Sequence, residues 1–239
     1  MSIAIVNSIT VPEGDGVAVK RLMPVAGLRN FDPFVLWDHF DIVGGGFPDH
    51  PHRGFEAITY LFDGGMKHAD NLGNRGIVHA GGAQRLTAGR GIVHSEFPGG
   101  RAHGIQLWIN LPQRLKSLEP DYQQVEMDQL QQTDIDGVMI RTIVGSGGAI
   151  DLHTPVEYLE IRMPPGSSIT QQISPGFRGF VYIVASEVTV KDQPLKAGQA
   201  AFVEGEPELT VNTSNAARLM WCFGRPHHEP IMQHGPFVD

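Results

Sequence analysis

Short apolar segments alternate with turn residues along almost the whole chain. Each segment is rich in Val, Ile, Phe or Tyr and is closed by Gly, Pro, Asn or Asp. This composition and spacing are typical of β-strands joined by tight turns. The clearest segments are residues 34–37, 57–62, 105–109, 138–144 and 180–184. The pattern predicts an all-β protein.

One segment departs from this pattern and is predicted to be helical. It runs from Pro112 to Tyr122, where Leu115 and Leu118 stand three positions apart and Pro120 would end the helix. We expect this helix and the polar stretch 123–136 to link two halves of the chain.

A loose internal repeat supports two halves. Residues 60–64, followed by 80–86, are echoed by residues 182–186, followed by 197–203. In both copies a strand and a turn precede a second, small-residue turn that leads into another strand. Duplicated β-barrels would each close their own sheet edges. We therefore predict an N-terminal domain over residues 1–125 and a C-terminal domain, with a tail, over residues 126–239.

Composition narrows the class of protein. The chain has 239 residues, of which 41% are hydrophobic and 18% are charged, as in globular proteins with a substantial core. The formal net charge is -8, and no Lys/Arg cluster is longer than the pair Lys20 and Arg21. Direct binding to nucleic acid needs concentrated positive charge, so we expect none. The composition does not exclude binding to a protein partner.

The chain carries no feature of an exported or membrane protein. Its single cysteine, Cys222, lies in an apolar run and is expected to be buried, without an internal disulfide. The first ten residues lack the pattern of a signal peptide. No apolar stretch approaches the roughly 20 residues that span a bilayer. We expect a cytoplasmic protein that does not bind membranes.

Two pairs of polar residues have the spacing of metal ligands. His50 and His52 are two positions apart, and so are His94 and Glu96. In an extended strand such residues point to the same face, so two antiparallel strands would bring four ligand atoms together. A lone His-x-His in a Gly- and Pro-rich loop is usually exposed to solvent; the second pair favours a metal site.

The donor set limits the metal. Three imidazoles and one carboxylate suit a divalent transition metal such as Fe(II), Mn, Ni, Cu, Co or Zn. Four protein ligands would leave an octahedral ion two open positions. Of the other histidines, His68 and His79 are expected on the surface. His103 would either line the pocket or hold a turn.

Two motifs resemble those of the cupins. Gly44, His50-x-His52 and Glu56 follow the spacing of the first cupin motif, and residues 89–94 resemble the second, with Gly where Pro is usual. Longer strings are similar to those of the pirin family in particular. They are residues 50–56 (HPHRGFE), 87–96 (TAGRGIVHSE), 106–112 (QLWINLP) and 233–238 (QHGPFV).

The resemblance implies two cupin (jelly-roll-like) barrels, with iron in the N-terminal one. Carried over to this sequence, the metal ligands are His50, His52, His94 and Glu96, and Fe(II) is the expected ion. In general cupins the glutamate of the first motif binds the metal. In pirin-like proteins Glu96 takes that role, which leaves Glu56 as a hydrogen-bonding group beside the site.

The second half departs from the metal-binding pattern. At the spacing of the first motif, Gln172 and Ser174 occupy the histidine positions, so we expect a degenerate barrel without metal. A second departure lies in the first half. Residues 83–85 (AQR) replace an aromatic residue and Val that are frequent in pirins, so the packing there is expected to differ.

Three interpretations of the function are compatible with the resemblance. Proteins similar to this one include quercetin 2,3-dioxygenases, which cleave flavonols with O₂ and release CO. In that case Glu96 would accept the flavonol proton, and Phe47, Phe55 and Phe97 are candidates for stacking on the substrate. The alternative is an iron-dependent, redox-sensing co-regulator that binds proteins without turnover. A metal protein related to stress, also without turnover, is the third interpretation.

Overall fold

The computed structural model describes residues 3–239 and consists almost entirely of β-strands, which confirms the predicted fold class. Numbered along the chain, the strands are β1 (Ala4–Asn7), β2 (Ile9–Glu13), β3 (Val17–Met23), β4 (Phe34–Ile42), β5 (Phe47–His52), β6 (Phe55–Asp70), β7 (Arg75–His79), β8 (Ala83–Thr87), β9 (Ile92–Asn110), β10 (Asp121–Val125), β11 (Gln131–Ile135), β12 (Val138–Val144), β13 (Val156–Met163), β14 (Ser168–Gln172), β15 (Arg178–Ala185), β16 (Glu187–Val190), β17 (Gln193–Lys196), β18 (Gln199–Glu204), β19 (Glu208–Asn212), β20 (Ala217–Gly224), β21 (Gln233–His234) and β22 (Phe237–Val238).

The helix predicted over residues 112–122 is wrong. The structure has a single 3₁₀ turn there, Gln113–Leu115, and another at Met127–Gln129. Neither Leu115 nor Leu118 is fully buried, so the segment has no apolar stripe to hold against a core. The polar stretch that follows is not a plain linker, because β10 and β11 occupy most of it. Among residues 3–239, no helix is long and apolar enough to span a membrane.

The N-terminal domain comprises Ile9–Gln129, Leu152–Thr154 and His227–Asp239. Its main sheet has the strand order β10-β8-β6-β9-β4-β3-β2, with β5 paired to β9 and β7 paired to β6. The long central strands β6 and β9 run antiparallel over most of their length. Every strand that carries a predicted metal ligand is hydrogen-bonded to β9 or is β9 itself.

The C-terminal domain comprises residues 3–8, Leu130–Asp151 and Pro155–Pro226. A seven-stranded sheet has the order β1-β18-β15-β20-β13-β12-β11, and a four-stranded sheet has the order β14-β19-β16-β17. Apolar side chains from both sheets form a single core, in which Trp221 and Phe223 are fully buried. Cys222 is also buried, as predicted.

This division differs from the predicted domains 1–125 and 126–239 at both ends of the chain. The first strand, β1, pairs with β18 and so belongs to the C-terminal domain. The last thirteen residues, His227–Asp239, belong to the N-terminal domain. There the backbone amide of Val238 donates to the carbonyl of Arg53, and the Arg53 guanidinium lies 4.8 Å from the centre of the Phe237 ring. Each terminal segment thus joins the domain formed by the other end of the chain, through tertiary contacts that its own sequence does not reveal.

Candidate metal centre

Three of the predicted ligands meet where β5 pairs with β9. In this register His50 lies directly opposite His94, and strand alternation places His52 on the same side as His50. The ring centres are 4.4 Å apart for His50 and His94, and 4.9 Å apart for His52 and His94. One ligand nitrogen from each of the three residues lies within 4.8 Å of the other two.

Glu96 belongs to a second group that shares His94 with the first. It follows His94 by two positions on β9, and only 1% of its surface is exposed. A carboxylate oxygen of Glu96, a nitrogen of His94 and a nitrogen of His68 lie within 4.8 Å of one another. All four predicted ligands therefore occupy one continuous cluster, and His68 is an additional member.

Backbone carbonyls fix the tautomers of two imidazoles. His50 Nδ1 lies 2.7 Å from the carbonyl oxygen of Pro48, and His52 Nδ1 lies 3.3 Å from that of Pro236. Because a carbonyl oxygen only accepts, each Nδ1 must carry the proton and donate it. Each Nε2 is then left with a free lone pair, as a metal ligand requires.

His94 is the most informative of the three. Its Nε2 is buried and, in the part of the chain that the structure describes, has no hydrogen-bond partner. Buried polar atoms are nearly always paired, and an unpaired one costs about 1–3 kcal/mol. A metal ion bound at Nε2 would remove this cost. The donor chemistry of the cluster thus fits a divalent transition metal.

Burial keeps the imidazoles of His52 and His94 neutral. Desolvation, reinforced by the neighbouring His50, lowers the pKa of His52 to about 3. Desolvation and the neighbouring histidines also hold the pKa of His94 well below its ordinary value. A histidine binds metal only when neutral, so both rings are in the right protonation state at neutral pH.

The carboxylate of Glu96 is held by polar side chains on both oxygens. Gln84 Nε2 donates to Oε1 at 2.5 Å and Thr59 Oγ1 donates to the same atom at 3.3 Å. Gln106 Nε2 donates to Oε2 at 2.8 Å. Gln84 lies in the segment 83–85, which the sequence marks as a departure, and its own amide oxygen accepts from Tyr122. This segment therefore contacts the site directly.

His68 was expected on the surface, and that expectation is wrong. Only 3% of it is exposed, because the β6–β9 register places His68 opposite Glu96 and Asp70 opposite His94. The pair His68-x-Asp70 has the same spacing as His94-x-Glu96, which is the one feature of the sequence that points to it. His79, by contrast, is exposed as expected.

Two further residues have roles away from the predicted ligands. Glu56 is fully buried and accepts hydrogen bonds from Thr87 Oγ1 at 2.9 Å and from His153 Nδ1 at 2.9 Å. Its hydrogen-bonding role is confirmed, although these partners are not the ligands. His103 Nε2 lies 2.8 Å from His39 Nε2, and His103 does not line the cavity described next.

A cavity of about 540 Å³ adjoins the cluster. His50 and His52 lie in its wall, and the C-terminal tail contributes Gln233, Gly235 and Pro236. Of the aromatic residues proposed to stack on a substrate, Phe47 lines this cavity, whereas Phe55 is packed on Trp108 in the core and Phe97 is exposed. The other large apolar side chains of the wall are Val19, Leu36, Phe40, Met66 and Trp108.

In the C-terminal domain, the residues at the two histidine positions make ordinary polar contacts. Gln172 Nε2 donates to Glu208 at 2.7 Å, and Ser174 donates to Glu157. That this domain binds no metal stays a prediction.

Comparison with known proteins agrees with this arrangement. The Pirin family model matches residues 16–109, and the model of the Pirin C-terminal cupin domain matches residues 158–239. Human pirin is 38% identical over 95% of this chain and 83% of its own length. A pirin-like protein of Arabidopsis thaliana is also 38% identical, over 95% of this chain and 80% of its own length.

The crystal structure of a quercetin 2,3-dioxygenase from Acinetobacter baumannii superposes with a TM-score of 0.91. It is 28% identical in sequence, and the match covers 98% of this chain and 90% of that one. Sequence, fold and ligand cluster lead to the same conclusion: the chain belongs to the pirin family.

Proposed function

We propose that this protein is a metal-dependent dioxygenase that cleaves flavonols such as quercetin with O₂. His50, His52, His94 and Glu96 would hold one divalent transition metal, for which Fe(II) is our first choice and Mn, Ni, Cu, Co and Zn are alternatives. One observation carries the proposal: three imidazoles meet beside a cavity of about 540 Å³, two with Nδ1 directed at a backbone carbonyl and the third with a buried Nε2 that has no hydrogen-bond partner among the described residues. The similarity to the Acinetobacter baumannii quercetin 2,3-dioxygenase supports the substrate class.

When bound, the metal would act as a Lewis acid that increases the acidity of a phenolic hydroxyl. Glu96 is the residue that we assign to accept the hydroxyl proton. Its two oxygens are oriented by Gln84, Thr59 and Gln106, and Gln106 also lines the cavity. A substrate in the cavity would thus contact the same amide that holds the carboxylate.

The size and walls of the cavity suit a flat, uncharged phenol. Binding sites for small molecules usually measure about 300–1,000 Å³ and are mostly apolar. Phe47 and Trp108 offer ring surfaces for stacking, and Met66 adds a polarisable contact. Of the two arginines in the wall, Arg29 is exposed, and Arg21 is half-buried and paired with Asp38 at 2.6 Å. It therefore has little charge left to select an anionic substrate.

The test is oxygen consumption by protein of known metal content. Untagged protein is stripped of metal, loaded with Fe(II) under anaerobic conditions and mixed with a panel of flavonols in an oxygen electrode. We expect O₂ uptake with release of CO, absent in His50→Ala and retained in His79→Gln, whose histidine is exposed.

If the fully loaded protein consumes no O₂ with any flavonol or related phenol, the dioxygenase proposal is wrong. The alternative, a redox-sensing co-regulator, then becomes the leading hypothesis. It predicts that the Fe(II) and Fe(III) forms capture protein partners to different extents.

A further inference from the structure

His68 and Asp70 form a buried pair beside the cluster. His68 Nε2 lies 3.0 Å from Asp70 Oδ2, and neither side chain is accessible to solvent. Asp70 is itself fixed, because its Oδ1 accepts from the backbone amides of Leu72 and Asn74, each at 3.0 Å, and its Oδ2 accepts from Asn74 Nδ2 at 2.9 Å. A carboxylate held in this way only accepts hydrogen bonds, so His68 must carry its proton on Nε2.

The tautomer of His68 determines the tautomer of His94. With the proton on Nε2, His68 Nδ1 has a free lone pair, and it faces His94 Nδ1 at 3.5 Å. His94 then donates from Nδ1, which leaves the lone pair on Nε2, the buried atom that has no hydrogen-bond partner among the described residues. Tyr122 stacks on His68, with ring centres 4.2 Å apart and planes 12° apart, and so restricts rotation of the ring.

We infer that Asp70 and His68 are a positioning dyad that presents His94 Nε2 to the metal. The dyad would hold the proton of His94 on Nδ1, as the carbonyls of Pro48 and Pro236 do for His50 and His52. Such partners behind metal-binding histidines commonly change metal affinity by about 10- to 100-fold. The inference rests on the metal centre proposed above and adds two residues that the motifs do not include.

His68 is better placed to orient His94 than to bind the ion itself. The two nitrogens of an imidazole point to nearly opposite sides of the ring, and His68 faces the Nδ1 side of His94. An ion at Nε2 of His94 would lie on the other side. A direct ligand role for His68 is nevertheless a distinct outcome of the experiment below.

The decisive variant is Asp70→Asn. The backbone amides of Leu72 and Asn74 would retain the amide oxygen at the Oδ1 position, so the new NH₂ group would face His68. The side-chain amide of Asn74, which donates to Oδ2 in the wild type, would then have to flip and present its oxygen. The new NH₂ group would donate to His68 Nε2 and move the His68 proton to Nδ1. The His94 proton must then leave Nδ1 for Nε2, the atom needed by the metal.

Two readouts test this chain of events. In metal-free wild type, ¹⁵N spectra of the imidazoles should show protonated Nδ1 and unprotonated Nε2 for His94, and Asp70→Asn should reverse them. Affinity for Fe(II) or Zn(II), measured by competition with a chelator, should fall about 10- to 100-fold in the variant. Asp63→Asn is the matched control, since it makes the same change on β6 at an exposed carboxylate paired with Arg101, and its affinity should equal that of wild type.

Each other result overturns the inference in a distinguishable way. If wild type binds no metal, the proposed centre fails as a whole. If wild type, Asp70→Asn and Asp63→Asn bind equally well, only the dyad fails. His68→Phe, which keeps the stacking on Tyr122, should weaken binding without abolishing it; complete loss would make His68 a ligand instead. If Asp70→Asn does not fold, a wild-type His94 protonated on Nε2 would refute the dyad, and the opposite tautomer would support it.

Discussion

The variant Glu96→Gln tests two roles of the carboxylate: its negative charge and the hydrogen bonds that it accepts. The substitution keeps the size of the side chain but replaces one acceptor oxygen with a donor NH₂ group. Both oxygens of Glu96 accept from amide groups, those of Gln84 and Gln106. Whichever way the new amide is oriented, one donor therefore faces another donor.

Neither Gln84 nor Gln106 can flip its side-chain amide to accept from the new donor without losing another hydrogen bond. The amide oxygen of Gln84 accepts from Tyr122 at 3.0 Å, and that of Gln106 accepts from Trp108 Nε1 at 3.2 Å. Flipping either amide breaks one of these bonds. We therefore expect Glu96→Gln to cost about 1–3 kcal/mol of stability in the metal-free protein. For a chain of this size that lowers Tm by about 2–4 °C for each kcal/mol.

Flavonol turnover should fall much further, by at least the roughly 10²-fold typical of losing a general base. The double variant Glu96→Gln/Gln106→Glu distinguishes the two effects. It restores a donor opposite an acceptor, since the new carboxylate at position 106 accepts both from the amide at position 96 and from Trp108. Its Tm should recover towards wild type, whereas turnover should stay low because the charge has moved. Recovery of both would refute the assigned role of Glu96, and recovery of neither would refute the network argument.

Three further results are expected. His50→Ala should lose the metal, as measured by metal analysis, while His79→Gln keeps it; equal metal contents would remove His50 from the ligand set. The pKa of His52 is lowered from 6.5 to about 3, so between these pH values the unfolded chain binds a proton at His52 and the folded chain does not. The metal-free protein should therefore lose stability as pH falls from about 6.5 to about 3. The Tm of His52→Gln should fall less over that pH range. If its Tm falls with pH as steeply as that of wild type, the lowered pKa of His52 is contradicted. Gly54→Ala should weaken metal binding. Gly54 has φ +86°, and an added Cβ would lie 1.8 Å from the carbonyl oxygen of Val238, so the substitution would displace the C-terminal tail that contacts His52. An unchanged metal affinity would show that the tail does not support the site.

The sequence was sufficient to predict the parts of the site that depend on local geometry. His50 and His52, like His94 and Glu96, stand two positions apart, and strand alternation alone places each pair on one face. The all-β class followed in the same way from short apolar segments. The helix predicted over residues 112–122 failed because two leucines at helical spacing do not supply a buried face.

The rest of the site depends on register and tertiary pairing, which no local pattern encodes. His68 joins the cluster only because β6 and β9 pair with His68 opposite Glu96. Pro236 reaches His52 only because the last residues of the chain return to the N-terminal domain. Gln84 departs from the pirin pattern in sequence, but its contact with Glu96 depends on the three-dimensional fold.

The most direct test of the metal centre is a crystal structure of the metal-loaded protein, with anomalous diffraction recorded at the absorption edge of the metal. We predict one strong peak in the N-terminal domain, at roughly 2.0–2.2 Å from the Nε2 atoms of His50, His52 and His94 and from one oxygen of Glu96. A peak bound elsewhere, or none in protein that carries one equivalent of metal, would contradict this prediction.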